Sequence, residues 1–202
     1  MTLQVPKPAH SEFGQNVDNG SILILLVTGS TRSMSSNTGA LRTAEAVAPE
    51  GVRTELVDAL AELPVFDPDQ DTDPLPAPVA RLRARIAAAD AVLFSAPEYA
   101  GTLPGAFKNL LDWTVGGSEM YRKPVAWLNV APPGRGDGAT ATLATVLGYL
   151  GTVVLESSCV RLPLSSAGLG PEGTATDPEF RAALGDVLRT VRAELLELPP
   201  PG

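Results

Sequence analysis

Short runs that are apolar at nearly every position alternate along this chain with longer stretches whose apolar residues recur every three or four positions. Residues 21–28 (SILILLVT) form the first run and end at Gly29 and a Ser/Thr-rich loop. A short run that is apolar on both faces predicts a strand buried inside a parallel sheet. Residues 36–48 follow, with Leu41, Ala44, Val47 and Ala48 on one helical face and Pro49 and Gly51 closing it. Residues 52–57 alternate and predict a second strand, residues 79–89 a short helix, and residues 90–96 (DAVLFSA) a third strand. A helix over 104–113 starts with proline at its favoured first position. Residues 124–130 predict the fourth strand, 138–150 a helix ended by Gly151, and 152–162 a fifth strand. The last helix covers 177–198, with Asp177 as N-cap, Pro178 behind it, and a stripe of Leu184, Val187, Leu188, Val191 and Leu195. Between the second strand and the second helix, residues 60–78 carry five prolines and several Asp, and Leu63, Val65 and Phe66 are expected to pin this loop to a core.

The order βαβαβαβαβα predicts an α/β fold: a three-layer αβα sandwich around a five-stranded parallel sheet with right-handed crossovers. In such sheets ligands bind beyond the carboxyl ends of the strands, where the strand order reverses. The loops after strands one, three and four are therefore the candidates for chemistry. The first, residues 29–37 (GSTRSMSSN), holds five hydroxyl side chains, an amide and Arg32, and it opens a helix. Helix N-termini offer unpaired N–H groups and a positive dipole end. A simple cap needs one hydroxyl rather than five, so the loop is read as an anion site suited to a phosphomonoester. It lacks the Gly-Lys-Ser/Thr of a Walker A loop.

The second loop, residues 97–105 (PEYAGTLPG), is stiffened by two prolines. Its Tyr99 could serve a ligand as a flat ring or simply sit exposed on a stiff connection. The third, residues 134–139 (GRGDGA), matches a G-x-G-x-x-A dinucleotide fingerprint. That fingerprint belongs on the first strand of a nucleotide-binding half, so a flexible loop closing over a ligand is the preferred reading.

Composition narrows the chemistry. The chain has 202 residues, 44% of them apolar and 19% charged, which suits one ordinary globular domain over residues 21–198. Residues 1–20 are mixed polar, lack the apolar core of a signal peptide, and read as a flexible leader. A net charge of -8 disfavours nucleic acid and anionic membranes as partners. The apolar runs are far shorter than the roughly 20 residues that span a bilayer. The single cysteine, Cys159, excludes an intrachain disulfide and points to the cytoplasm; it is read as a structural thiol. The single histidine, His10, lies in the leader, which removes a Ser-His-Asp triad and a Cys/His zinc site; no metal site is expected. No G-x-S-x-G elbow is present. An anion cradle without catalytic side chains points to a cofactor that brings its own chemistry.

Two segments together resemble one family. Gly29, Ser30, Arg32, Ser35 and Asn37 match the G-S-x-R-x-x-S-x-N phosphate loop of the NADPH-dependent FMN reductases. Residues 97–113 (PEYAGTLPGAFKNLLDW) resemble that family's P-E-Y-N-x-x-x-P-G-x-x-K-N-x-x-D-W segment. The resemblance covers about residues 22–162 and is shared with quinone, chromate and azo-dye reductases. It implies a flavodoxin-like fold with strand order 2-1-3-4-5, bound FMN, and NADPH or NADH as hydride donor. It further implies a small, quinone-like electron acceptor and a homodimer or homotetramer, here expected to form through helix 104–113 with Trp113, Met120 and Tyr121. Carried over, Ser30, Arg32, Ser35 and Asn37, with Ser36 beside them, hold the FMN phosphate. Pro97, Glu98, Tyr99 and Gly101 line the isoalloxazine, and Pro132 and Gly134 belong to the loop that closes its far side. Ala100 stands where the family usually has Asn. Flavin N5 then carries the chemistry and no side chain is catalytic. Two rivals remain at this level: a flavodoxin-type FMN electron carrier without NAD(P)H activity, and a flavin-free interaction module on the same fold.

Overall fold

The computed structural model describes residues 20–57 and 60–199. The leader expected over residues 1–20, with His10, falls outside them except for Gly20. The strands are β1 (Ile22–Thr28), β2 (Val52–Val57), β3 (Ala91–Ser95), β4 (Pro124–Asn129), β5 (Val153–Val154) and β6 (Val160–Arg161). The helices are α1 (Ser36–Ala46), α2 (Ala77–Ala88), α3 (Gly105–Asp112), α4 (Asp137–Tyr149) and α5 (Pro178–Glu197). All strand pairs are parallel and run in the order β2-β1-β3-β4-β5, with β6 also on β4. This is the order 2-1-3-4-5 that the resemblance implies.

The alternation of side chains along each strand divides the core in two. Ile24 and Leu26 of β1 face one side, where they meet Leu41 and Ala44 of α1 and Leu184 and Leu188 of α5. Leu25 and Val27 face the other, against Leu82 and Ile86 of α2, Phe107 and Leu110 of α3, and Leu143 and Leu147 of α4. Four consecutive residues, Ile24 to Val27, are thus fully buried, which is why β1 reads as a continuous apolar run.

The fifth strand differs from expectation. Instead of one strand over 152–162, a 3-10 turn at Glu156–Ser158 separates β5 from β6. The cause is Glu194 on α5, whose carboxylate accepts from the Ser157 backbone N–H at 3.1 Å and from the Ser158 hydroxyl. Those donors are drawn to the helix, and the strand breaks there.

The proline-rich loop is pinned, but by fewer side chains than expected. Phe66 packs edge-on to Trp113 with ring centroids 5.0 Å apart, and Leu63 packs on the core, whereas Val65 is 84% exposed. Hydrogen bonds do the rest. Asn109 donates to Pro64 O at 2.8 Å and accepts from Phe66 N at 2.7 Å, and Trp113 Nε1 donates to Pro64 O at 2.8 Å. Trp113 and Met120 are consequently spent in the core and present nothing to a partner, while Tyr121 remains exposed.

Candidate active site at the carboxyl edge of the sheet

Because β1, β3 and β4 are parallel neighbours, the loops that follow them converge on one edge of the sheet. The chain leaves β1 toward β2 on one side and β3 continues on the other, so this edge is the switch point of the fold. A cleft of about 490 Å³ opens there. Ser36 and Asn37 line it from α1, Pro97, Glu98, Ala100 and Gly101 from the loop after β3, and Pro132, Arg135 and Gly136 from the loop after β4.

The loop of residues 29–35 shapes one end of the cleft. Ser30 and Ser35 are buried, and their hydroxyls are used inside the loop. Ser30 Oγ accepts from Arg32 N at 3.2 Å, and Ser35 Oγ caps α1 by accepting from Thr38 N at 3.5 Å. Asn37 Oδ1 accepts from Ser95 Oγ at 2.9 Å, so the amide hydrogens of Asn37 are what it has to offer a ligand. Arg32 lies exposed on this loop outside the cleft lining. No acidic residue occupies the first turn of α1, so its positive end is uncompensated.

The N-terminus of α4 is different. Glu98 Oε2 accepts from Gly138 N at 2.7 Å and Ala139 N at 3.2 Å, and Asp137 stands in the first turn. This end already holds its anion. Gly138 is where the β3 loop crosses α4: a Cβ there would lie 2.1 Å from Gly101 O. Thr102 and Thr142 hydroxyls meet at 2.9 Å and tie the same two segments.

Residues 99–102 form a tight turn in which Tyr99 and Thr102 exchange backbone hydrogen bonds at 3.0 and 3.1 Å. Its two central residues, Ala100 and Gly101, have φ of 51° and 78°. Positive φ at both central positions defines a type I′ turn, whose preferred pair is Asn-Gly. Tyr99 is 50% exposed and stands outside the cleft lining, as does Gly134. The fold thus brings Ser36, Asn37, Pro97, Glu98, Ala100, Gly101 and Pro132 to the cleft, and keeps Ser30, Arg32, Ser35, Tyr99 and Gly134 on the loops around it.

Sequence reasoning missed Arg161. From β6 its guanidinium donates to Ala131 O at 2.9 Å, Pro132 O at 3.1 Å and Arg135 O at 2.6 Å, and pairs with Asp137. It holds the whole loop after β4. Its partners lie 24 to 30 positions away, and no local pattern marks such a contact. Leu164, which also lines the cleft, left no signal either. Cys159 is half-buried, and burial raises its thiol pKa to about 11, the state of an unreactive structural cysteine.

A parallel αβα sandwich with an anion-receptive helix end beside a cleft at its switch point defines a flavodoxin-like nucleotide-cofactor protein. FerB, the flavoenzyme NAD(P)H:(acceptor) oxidoreductase of Paracoccus denitrificans, superposes with a TM-score of 0.68 at 25% identity over 86% of this chain and 98% of FerB. The sequence profile of the NADPH-dependent FMN reductases matches residues 22–165, and the chain belongs to that family of oxidoreductases. It is 32% identical to the NAD(P)H-dependent FMN reductase PA1204 of Pseudomonas aeruginosa, over 85% of this chain and 94% of that protein. It is 31% identical to a quinone reductase of Pseudomonas putida, over 82% of this chain and 86% of the relative.

The residues present fit FMN. The α1 end pairs an uncompensated helix dipole with a hydroxyl-rich loop and a guanidinium, as a phosphate requires. The cleft beside it falls within the 300–1,000 Å³ range of small-molecule sites.

Proposed function

We propose that the chain is an FMN-dependent NAD(P)H oxidoreductase that reduces a small quinone-like acceptor in the cleft at the carboxyl edge of its sheet. The observation that carries this reading is the contrast between the two helix ends at the cleft. The α4 end is filled by Glu98, while the α1 end has no acid and is surrounded by hydroxyls and Arg32. In this reading Arg32, Ser36 and Asn37, with the loop shaped by Ser30 and Ser35, hold the flavin phosphate. Pro97, Glu98, Ala100 and Gly101 form the wall against which the ring system lies, Tyr99 stands at its rim, and Pro132 and Gly134 belong to the opposite wall. Bound FMN supplies two-electron chemistry at its N5, between nicotinamide and acceptor. No side chain is assigned a covalent or acid–base step; the chain contributes position, and a cleft that admits donor and acceptor in turn. The name of the Pseudomonas putida relative, a quinone reductase, supports the quinone-like acceptor.

The assembly is proposed to be a homodimer or homotetramer. In support, Val115, Tyr121 and Tyr149 are 62%, 63% and 91% exposed around one apolar groove between α3 and α4. A cytoplasmic location is supported by the lone cysteine. No helix of the described residues is long and apolar enough to cross a membrane.

The test is an anaerobic titration of the purified, FMN-loaded protein. NADPH or NADH is expected to bleach the flavin directly, and a quinone to restore the colour, with ping-pong steady-state kinetics because both substrates use one face in turn. If neither nucleotide reduces the flavin while dithionite does, the protein is an electron carrier and the enzyme reading is wrong.

A further inference from the structure

One cation lines the cleft itself, apart from the α1 end proposed for the flavin phosphate. Arg135 lines it from the loop after β4, and β3 separates β4 from β1, whose loop carries Arg32. The acids closest along these loops are committed elsewhere. Asp137 pairs with Arg161, and Glu98 caps the α4 amides. Among the described residues no carboxylate pairs with Arg135. Its side chain is exposed in a chain whose net charge is -8, so an unpaired guanidinium facing a cleft is a local exception to the field around it.

The backbone beneath Arg135 is fixed. Its N–H donates to Pro132 O at 3.1 Å, and its carbonyl accepts from Arg161 at 2.6 Å. Two consecutive prolines, Pro132 and Pro133, stiffen the same turn. The Arg161 clamp also draws the Ala131 and Pro132 carbonyls away, so the loop's acceptors are consumed and its cation is left. With its backbone anchored, Arg135 loses less entropy on binding an anion than an arginine on a loose loop does.

We propose that Arg135 binds a phosphate of the pyridine nucleotide, and that Arg161 is the positioning residue that presents it. This rests on the NAD(P)H-dependent reading above. FMN carries one phosphate, and the α1 end provides for it; the second anion to enter this cleft is the hydride donor, which carries its own phosphates. The shared chemistry is a phosphate dianion or diester on an exposed guanidinium, from either the 2′-phosphate or the pyrophosphate.

The experiment uses the oxidised holoenzyme. NADP⁺, NAD⁺ and 2′,5′-ADP are titrated calorimetrically into wild type, Arg135→Ala, Arg135→Lys, Arg161→Met and the double variant Arg135→Ala with Arg161→Met, and FMN affinity is measured on each. Arg135→Ala is expected to weaken NADP⁺ about tenfold, one charge-assisted contact, while FMN affinity changes less than about twofold. Arg135→Lys should recover part of the loss. Arg161→Met should weaken NADP⁺ in the same direction and also reduce the benefit of Arg135, so the double variant falls short of additivity. Loss confined to NADP⁺ and 2′,5′-ADP assigns the 2′-phosphate; equal loss for NAD⁺ assigns the pyrophosphate. Unchanged NADP⁺ affinity in Arg135→Ala overturns the proposal, as does an equal loss of FMN. Failure of the functional reading looks different: wild-type holoenzyme then binds FMN but neither nucleotide.

Discussion

Ala100 shows how much one backbone angle explains. It occupies the first central position of a type I′ turn at φ 51°, where an L side chain with a Cβ meets its own carbonyl. Asn tolerates this region because its short polar side chain bonds locally, and Gly because it has no Cβ. The Asn usual in the family segment therefore has a conformational use here, besides any contact it makes with a cofactor. Ala100→Asn is expected to stabilise the protein by about 0.5–1 kcal/mol, seen as a higher urea midpoint at unchanged m-value. A lower midpoint would mean that the turn changes type. Arg32 makes a different prediction. Its guanidinium is exposed, and its proposed work is on the flavin phosphate. Arg32→Ala should weaken FMN about tenfold or more without moving the melting temperature of the apoprotein. Fluorescence titration reads the first and calorimetry the second.

Among the elements, α2 is closed by a side chain from the turn that leads into β4. Lys123, just before β4, is fully buried and donates to Ala87 O at 3.4 Å and to Ala89 O. Those carbonyls close the C-terminal end of α2, where a cation suits the dipole. Burial nevertheless lowers the Lys123 pKa from 10.5 to about 8, against the opposing pull of Asp90 and Glu119. Between these two values the unfolded chain binds the proton and the folded chain has released it, so stability rises with pH across the window. Relative to Lys123→Met, the wild type is expected to gain on the order of 3 kcal/mol between pH 8 and 10.5. Urea unfolding of both proteins over that range measures it; a flat difference would mean that Lys123 keeps its ordinary pKa. The family segment after β3 has a comparable structural content. Its Asn109 and Trp113 clip the proline-rich loop to α3, so these motif residues secure the fold beside the site rather than reach into it.

At the scale of the molecule, the apolar groove between α3 and α4 makes the prediction. It holds about 630 Å³ and is ringed by Val115, Tyr121 and Tyr149. The protein is expected to be at least dimeric by light scattering at micromolar concentration, and Tyr121→Asp with Tyr149→Asp to yield a folded monomer. A monomeric wild type would show that these aromatic rings are tolerated in water.

The order of strands and helices was legible in the sequence because each buried strand is apolar on both faces and each helix carries a single stripe, and these periods survive in any tertiary setting. The loop that opens α1 stood out for a similar reason: an excess of hydroxyls at a helix start is a local signal. Other features depended on residues far apart in the chain meeting in space. Whether a helix end is open or filled turned on Glu98 reaching α4, 40 positions on. The break in the fifth strand turned on Glu194, 36 positions from Ser158. Arg161 and Arg135 acquired roles only when β6 came to lie along β4. A one-dimensional pattern records which face of an element is apolar. It does not record which polar group will find another, since that is decided by packing that brings distant donors and acceptors within 3 Å, where an unmet bond is costly.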